Sequence, residues 1–177
     1  MKNNLLTFGT ILAIGFFTLT ANAQTAQTTS AAAGARLVKP MTIVKVTDLN
    51  FGTINVGTGL AGTVALSTAG TNTYVGGVTA GTIAGTITNA AYNVTGTKNA
   101  TYVVTLPADN TVTVTEAAGG TTTMKINTFT ALSASGATAT LTALGADTFK
   151  VGATLLVAAG QATGIYAGTF NVSVDYN

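Results

Sequence analysis

The chain has 177 residues, and 38 threonines, 30 alanines and 21 glycines make up half of it. Only 7% of the residues are charged, the formal net charge is +2, and the sequence contains no histidine, cysteine or tryptophan. This composition removes imidazole bases, thiolate nucleophiles and the preferred ligands of zinc, copper and haem. The small positive charge does not favour nucleic acid as a partner. A chain that is 47% apolar and rich in threonine instead indicates a folded, β-rich protein.

Residues 1–23 have the pattern of a secretory signal peptide. Lys2 gives the positive start, an apolar run of about 15 residues follows, and Ala21-Asn22-Ala23 provides a small-x-small cleavage site. The run is shorter than the roughly 20 apolar residues of a membrane-spanning helix. We therefore expect export through the inner membrane to the periplasm, and from there to the cell surface or an extracellular fibre.

Residues 24–36 are small and polar, and they predict a flexible N-terminal arm or an extended strand that pairs with a partner. One face of such a strand would be formed by Ala26, Thr28, Ser30, Ala32 and Gly34. Neither face is strongly apolar. A second interpretation therefore starts the pairing segment later and uses Leu37, Met41 and Ile43.

From residue 37 onward, short apolar runs alternate with turn sequences at the spacing of an antiparallel sandwich or barrel. The predicted strands are 37–46, 49–56, 63–67, 73–79, 82–88, 92–95, 101–106, 111–115, 122–132, 138–144, 149–157 and 165–176. Helices are not expected, because no apolar period of 3.6 residues persists. The sequence predicts an all-β fold, an antiparallel β-sandwich domain over residues 37–177 with a short N-terminal extension.

The last predicted strand has the clearest pattern of the chain. Phe170, Val172, Val174 and Tyr176 share one face, and the polar residues between them share the other. Such alternation predicts one buried face and one exposed face.

Five pieces of the sequence resemble a family of secreted bacterial domains that has no assigned function. They are residues 39–43 (KPMTI), 48–52 (DLNFG), 92–96 (YNVTG), 100–107 (ATYVVTLP) and 151–155 (VGATL). The resemblance covers most of residues 37–177 and implies an immunoglobulin-like sandwich.

The C-terminal pattern also resembles pilin subunits of the chaperone–usher type. Those subunits end in an alternating strand with a penultimate tyrosine and a glycine fourteen places from the end, as Tyr176 and Gly164 stand here. The resemblance implies strand addition by a neighbouring subunit, or by a periplasmic chaperone before delivery to an outer-membrane usher. The implied interaction residues are Gly164, Tyr166, Phe170, Val172, Val174 and Tyr176. The cysteine pair that many such pilins carry is absent.

The ionisable and hydroxyl side chains predict neither a catalytic site nor a metal or cofactor site. The acidic residues are Asp48, Asp109, Glu116, Asp147 and Asp175. We expect them to be solvated charges in turns or on exposed strand faces, rather than a pair of catalytic carboxylates. The serines have no histidine base and no Gly-x-Ser-x-Gly elbow, and no EF-hand spacing is present.

Together these patterns favour a non-enzymatic structural subunit of an extracellular fibre, or a surface adhesin of related build. Such a subunit would assemble with like subunits by β-strand complementation. One alternative is a self-complete secreted sandwich that binds a glycan or a host protein through its loops. The other is a small outer-membrane β-barrel of eight strands.

Overall fold

The computed structural model describes residues 26–83 and 85–177. The predicted signal peptide, residues 1–23, therefore lies outside the described residues, as do the first two residues of the arm. Residues 26–36 are exposed and belong to no strand. Residues 37–177 form a unit of their own and contain every strand of the described chain.

The described residues form an all-β structure, as the sequence predicts, and no helix among them is long and apolar enough to cross a membrane. The strands are β1 (Thr42–Thr47), β2 (Asn50–Phe51), β3 (Ile54–Val56), β4 (Gly62–Leu66), β5 (Asn72–Gly76), β6 (Val78–Ala80), β7 (Ile87–Thr88), β8 (Ala90–Thr95), β9 (Tyr102–Thr105), β10 (Val112–Glu116), β11 (Thr123–Ser133), β12 (Ala146–Val157), β13 (Tyr166–Ala167) and β14 (Ser173–Tyr176). Threonine and valine favour these strands because branched side chains pack well on a pleated surface.

The largest sheet is organised around β12, which is long enough to pair with three other strands. β11 runs along one edge of β12, whereas β8 and β4 share the other edge, beside residues 146–151 and 153–157 respectively. β1 extends the sheet beyond β8, β5 extends it beyond β4, and β10 and β13 extend it beyond β11. All of these pairings are antiparallel.

β9 and β14 form a separate antiparallel pair that shares a core with the large sheet. Tyr102 of β9 and Val174 of β14 belong to the same apolar cluster as Tyr92 of β8 and Phe149 of β12. The rings of Tyr92 and Phe149 stack with centroids 5.0 Å apart. This cluster joins the β9–β14 pair to the large sheet. The finer, immunoglobulin-like topology stays a prediction.

A second apolar cluster fills the space between the other half of the large sheet and the short pairs β2–β7 and β3–β6. Its buried members are Phe51, Val64, Leu66, Val78, Val112, Ile126, Ala153, Leu155 and Val157. Leu49, Phe129 and Phe170 pack against both clusters and so join them into one core. Each fully buried large side chain stabilises the fold by about 1.5–3 kcal/mol.

The structure corrects the predicted strands at two places that matter for the site. Residues 138–144 form no strand, because only Thr140 makes an isolated bridge, to Thr101, before the chain turns at Gly145. The predicted strand 165–176 is two strands, β13 and β14, which pair with β10 and β9 respectively.

Several other predicted boundaries shift because glycine bends the chain. Gly52 has a φ of +71° and separates β2 from β3 within the predicted strand 49–56. Gly76, with a φ of +80°, ends β5 before β6 begins. Left-handed backbone of this kind interrupts a ladder and favours glycine.

Candidate strand-acceptor seam

The six residues of the predicted interaction strand are divided between two places. Tyr166 pairs with Glu116 of β10, and Gly164 lies just ahead of it, against the Glu116 side chain. Between the two strands, a Cβ on Gly168 would lie 2.5 Å from the Thr113 carbonyl oxygen, so the crossing requires a glycine. At the apolar cluster that contains Tyr92 and Phe149, the structure brings together the other four residues, Phe170, Val172, Val174 and Tyr176.

These four side chains show the alternation that the sequence predicts, but they are half-buried rather than fully buried. The residues between them, Asn171, Ser173 and Asp175, are exposed. Within the described chain, β9 is the one strand that pairs with β14. The row is half-buried because β14 is an edge strand.

β1 lies opposite β14 at the edge of the large sheet. Among residues 26–83 and 85–177, β8 is its one paired neighbour. Met41, just before β1, and Ile43 within it are half-buried against the same apolar cluster as β14. Cα atoms of β1 and β14 approach within 8 Å, yet no described ladder joins the two strands. We call the space between β1 and residues 168–176 the seam.

The hydroxyl of Tyr176 closes one end of the seam. It donates a hydrogen bond to the Lys39 carbonyl (2.5 Å) and accepts one from the Thr97 N–H (2.6 Å). The Lys39 N–H in turn donates to the Thr97 hydroxyl (2.7 Å). Gly96 is buried beside this hydroxyl, and a Cβ at that position would collide with it. The C-terminal strand is therefore tied to the segment that leads into β1.

The other end of the seam contains a cavity of about 170 Å³. Leu49, Tyr92 and Phe170 line its apolar side, and Lys45 and Asp48 form an exposed ion pair at its rim. Small-molecule sites are usually larger, roughly 300–1,000 Å³. The cavity therefore fits a single side chain better than a small-molecule ligand.

Both walls of the seam lie within a recognised family domain. A family model described as "Domain of unknown function (DUF4402)" matches residues 41–176. The chain belongs to this family. No curated protein and no solved structure matches the chain.

The match confirms the resemblance to a family of domains without an assigned function. It begins one residue before β1 and ends at Tyr176, so the DUF4402 domain includes both edge strands of the seam. Residues 24–36 lie outside the matched region.

The DUF4402 domain also contains a buried polar cluster that the sequence analysis missed. The sequence predicts a solvated turn charge at Asp147, but this residue lies in β12 and is only 8% exposed. One carboxylate oxygen accepts hydrogen bonds from Ser133 (2.5 Å), Ser135 (2.9 Å) and Tyr102 (3.0 Å). The other accepts the Thr148 N–H (2.8 Å).

A signal for this burial was present in the sequence. Asp147, Phe149 and Val151 alternate along one strand, and all three are buried. The turn residue Gly145 next to Asp147 masked that pattern, because it favoured the interpretation of a loop charge.

The cluster shifts the pKa values of two of its members in opposite directions. Burial raises the pKa of the Asp147 carboxyl, but hydrogen bonds from Ser133, Ser135, the Thr148 N–H and Tyr102 lower it by more, to below the ordinary value of 3.8. Burial, aided by Asp147 and opposed by Ser133, raises the pKa of Tyr102 to about 12. At neutral pH the cluster therefore consists of a carboxylate and a neutral phenol.

The remaining acidic residues have local roles or lie at the surface. Asp109 accepts the Thr128 N–H (2.6 Å), and Glu116 accepts the Gly120 N–H (2.7 Å). Asp175 is exposed on β14. In the part of the chain that the structure describes, no group of acidic residues is arranged to hold a metal ion.

Proposed function

We propose that this protein is a structural subunit of an extracellular fibre, or a surface adhesin of related build, that assembles with like subunits by strand complementation. The seam carries the proposal. Its two walls are edge strands that approach within 8 Å, and within the described residues no ladder joins them. Half-buried apolar side chains lie along both walls.

Such a seam attracts a strand for two physical reasons. The outer edges of β1 and β14 present backbone N–H and C=O groups that an added strand can pair with. The half-buried row would lose its remaining exposure on pairing, and each large side chain so covered favours the complex. Backbone bonds supply affinity, and alternating side chains fix the register.

The N-terminal arm of the next subunit is the proposed donor. Residues 26–36 are exposed, belong to no strand and span about 36–40 Å when extended. Phe170 to Tyr176, by comparison, covers about 20 Å. Because paired strands lie about 4.8 Å apart, the walls must separate by about 2 Å where they approach within 8 Å, and the small residues of the arm keep that separation low. The sequence predicts Ala26, Thr28, Ser30, Ala32 and Gly34 as one face of this donor strand, and residues 31, 33 and 35 of the other face are alanines.

Insertion of one subunit's arm into the next is a head-to-tail contact. Contacts of this kind do not close on themselves, and they generate filaments. Before assembly, a periplasmic chaperone would supply the missing strand and pass the subunit to an outer-membrane usher.

A second candidate is a self-complete surface domain that binds a glycan or a host protein through its loops. The hydrogen bond from the Tyr176 hydroxyl to the Lys39 carbonyl favours it, because this bond closes one end of the seam within a single chain. In this case the arm would not take part in assembly.

Removal of residues 24–36 from the exported protein distinguishes the two candidates. If the protein assembles into fibres, the wild type should sediment as a series of oligomers, and the deletion variant should sediment as a monomer. A self-complete domain predicts the same stable monomer in both cases.

A double variant, Thr28→Pro with Ala32→Pro, tests whether the arm acts as a strand, because proline cannot donate to a ladder. It should assemble poorly, and Thr28→Ser with Ala32→Ser is the matched control. Equal assembly of the proline and serine variants would contradict the role of the arm as a strand.

A further inference from the structure

We infer that the cavity at the open end of the seam binds the Leu37 side chain of a second copy of this chain. The inference rests on the proposed strand complementation and identifies the residue that anchors it. It also sets the direction in which one copy joins the next.

Leu37 and Val38 are the first large apolar residues after the arm, and they are 88% and 52% exposed. They lie where the exposed arm meets the folded domain, so any strand formed by the arm ends with them. The cavity offers a volume of about 170 Å³ beside Leu49, Tyr92 and Phe170. A single aliphatic side chain matches this space in size and can pack against these three side chains.

Leu37 of the same chain is out of reach of this cavity. Thr42 pairs with Thr95, and Lys39 binds Thr97, so Lys39 lies beyond Thr42 on the side away from Lys45. From Lys39, two residues reach about 7 Å at most. The path from Thr42 to Lys45 along β1 alone is about 10 Å. A Leu37 side chain in this cavity must therefore come from another copy.

The later residues of the second interpretation are not available as donors. Met41 and Ile43 are half-buried against the core of their own domain. Lys39 is held by Thr97 and Tyr176. The donor segment consequently ends at Val38.

This geometry fixes the polarity of assembly. With Leu37 in the cavity, the preceding arm residues run along the seam from Phe170 toward Tyr176. Because side chains alternate along a strand, Ala31, Ala33 and Ala35 then point into the seam with Leu37, and the face from Ala26 to Gly34 points outward. The donor strand is then antiparallel to β14, and the Tyr176 end of one copy abuts the Lys45 end of the next.

Cysteine cross-linking of the exported full chain tests the contact, because the natural sequence has no cysteine. Leu37→Cys combined with Thr169→Cys places one thiol on the donor and one at the cavity wall. Mild oxidation should yield disulfide-linked dimers, trimers and longer ladders. The control pair, Leu60→Cys with Thr169→Cys, uses a residue that is 62% exposed in the loop before β4, and it should yield at least tenfold less.

A second pair of variants measures assembly without a cross-link. Leu37→Asp should reduce oligomers at least tenfold and leave the melting temperature of the monomer unchanged, because Leu37 is exposed in the single chain. Leu60→Asp, at an exposed residue in the loop before β4, should assemble like the wild type.

The possible failures are distinguishable. If the wild type forms oligomers, but Leu37→Asp assembles normally and the Leu37/Thr169 pair links no better than its control, the anchor is wrong and strand complementation stands. If the wild type forms no oligomers, both proposals are overturned.

Discussion

At the scale of single residues, the Tyr176 hydroxyl holds two ends of the chain together. Its bonds to the Lys39 carbonyl and the Thr97 N–H connect β14 to the segment before β1. Tyr176→Phe leaves both partners unpaired, and we expect the free energy of unfolding to fall by about 1–3 kcal/mol. Urea denaturation measures this loss.

Gly96→Ala provides an independent check on the same contact. Its new Cβ would displace the Tyr176 hydroxyl, so the double variant with Tyr176→Phe should lose less stability than the sum of the two single variants. Additive losses would show that Gly96 and the hydroxyl act separately.

Asp147 makes the stability of the domain depend on pH in the acidic range. Its folded pKa is lowered, so its contribution to stability is fully present above the ordinary value of 3.8 and disappears as the pH falls through the folded pKa. Asp147→Asn removes the charged acceptor of three hydroxyl groups, and we expect a loss of about 2 kcal/mol at pH 7. The difference from the wild type should shrink toward pH 3.

Urea denaturation between pH 7 and pH 3 checks this dependence. Asp175→Asn, on the exposed face of β14, is the matched control and should stay within about 0.5 kcal/mol of the wild type. A variant at position 147 that behaves like this control would contradict the structural role of the cluster. Tyr102 acts at the other end of the pH scale, since its pKa of about 12 means that stability is lost as the pH rises from 10 toward that value.

At the scale of elements, a charged side chain is expected to destabilise one face of β14 and to be tolerated on the other. Val174 is half-buried toward the seam and the core, whereas Ser173 is exposed. Val174→Asp places a carboxylate among apolar side chains and should destabilise the domain by about 3 kcal/mol or more. Its yield in the periplasm should collapse, while Ser173→Asp should accumulate and assemble like the wild type. Equal yields would rule out β14 as the wall of an apolar seam.

The tail also shows what a sequence pattern is able to predict. Alternation reports which face of a strand is buried, and residues 170–176 follow that prediction. It does not report the partner strand. The chain pairs with β10 at Tyr166 and with β9 from Ser173 onward. Tyr166, Gly168 and Phe170 keep the period of two between these pairings, so the sequence alternation shows no break where the partner strand changes. The division of Gly164 and Tyr166 from the rest was therefore invisible in the sequence.

Other features were predictable only in part. The all-β class followed from composition, and most strands lie where branched residues cluster between turns. The seam was implied only by the resemblance to pilins, since no local pattern reveals that β1 and β14 meet at an unpaired edge. That contact joins residues more than a hundred positions apart, and only the folded chain brings them together.

At the scale of the whole molecule, one end of the domain is closed and the other is open. The Tyr176 hydroxyl binds Lys39 at the closed end, three residues after the last residue of the arm, and the cavity beside Phe170 lies at the open end. A domain with a donor at one end and an acceptor at the other extends in one direction. The proposed fibre follows from this polarity.

Hydrogen exchange of β14 tests the central claim most directly. Amides of residues 170–176 would be compared, by mass spectrometry of their peptides, between wild-type oligomers and the monomeric variant that lacks residues 24–36. A strand added in the seam predicts that exchange in this segment slows at least tenfold in the oligomers, while β12 changes little. Equal exchange of residues 170–176 in both samples would contradict strand complementation.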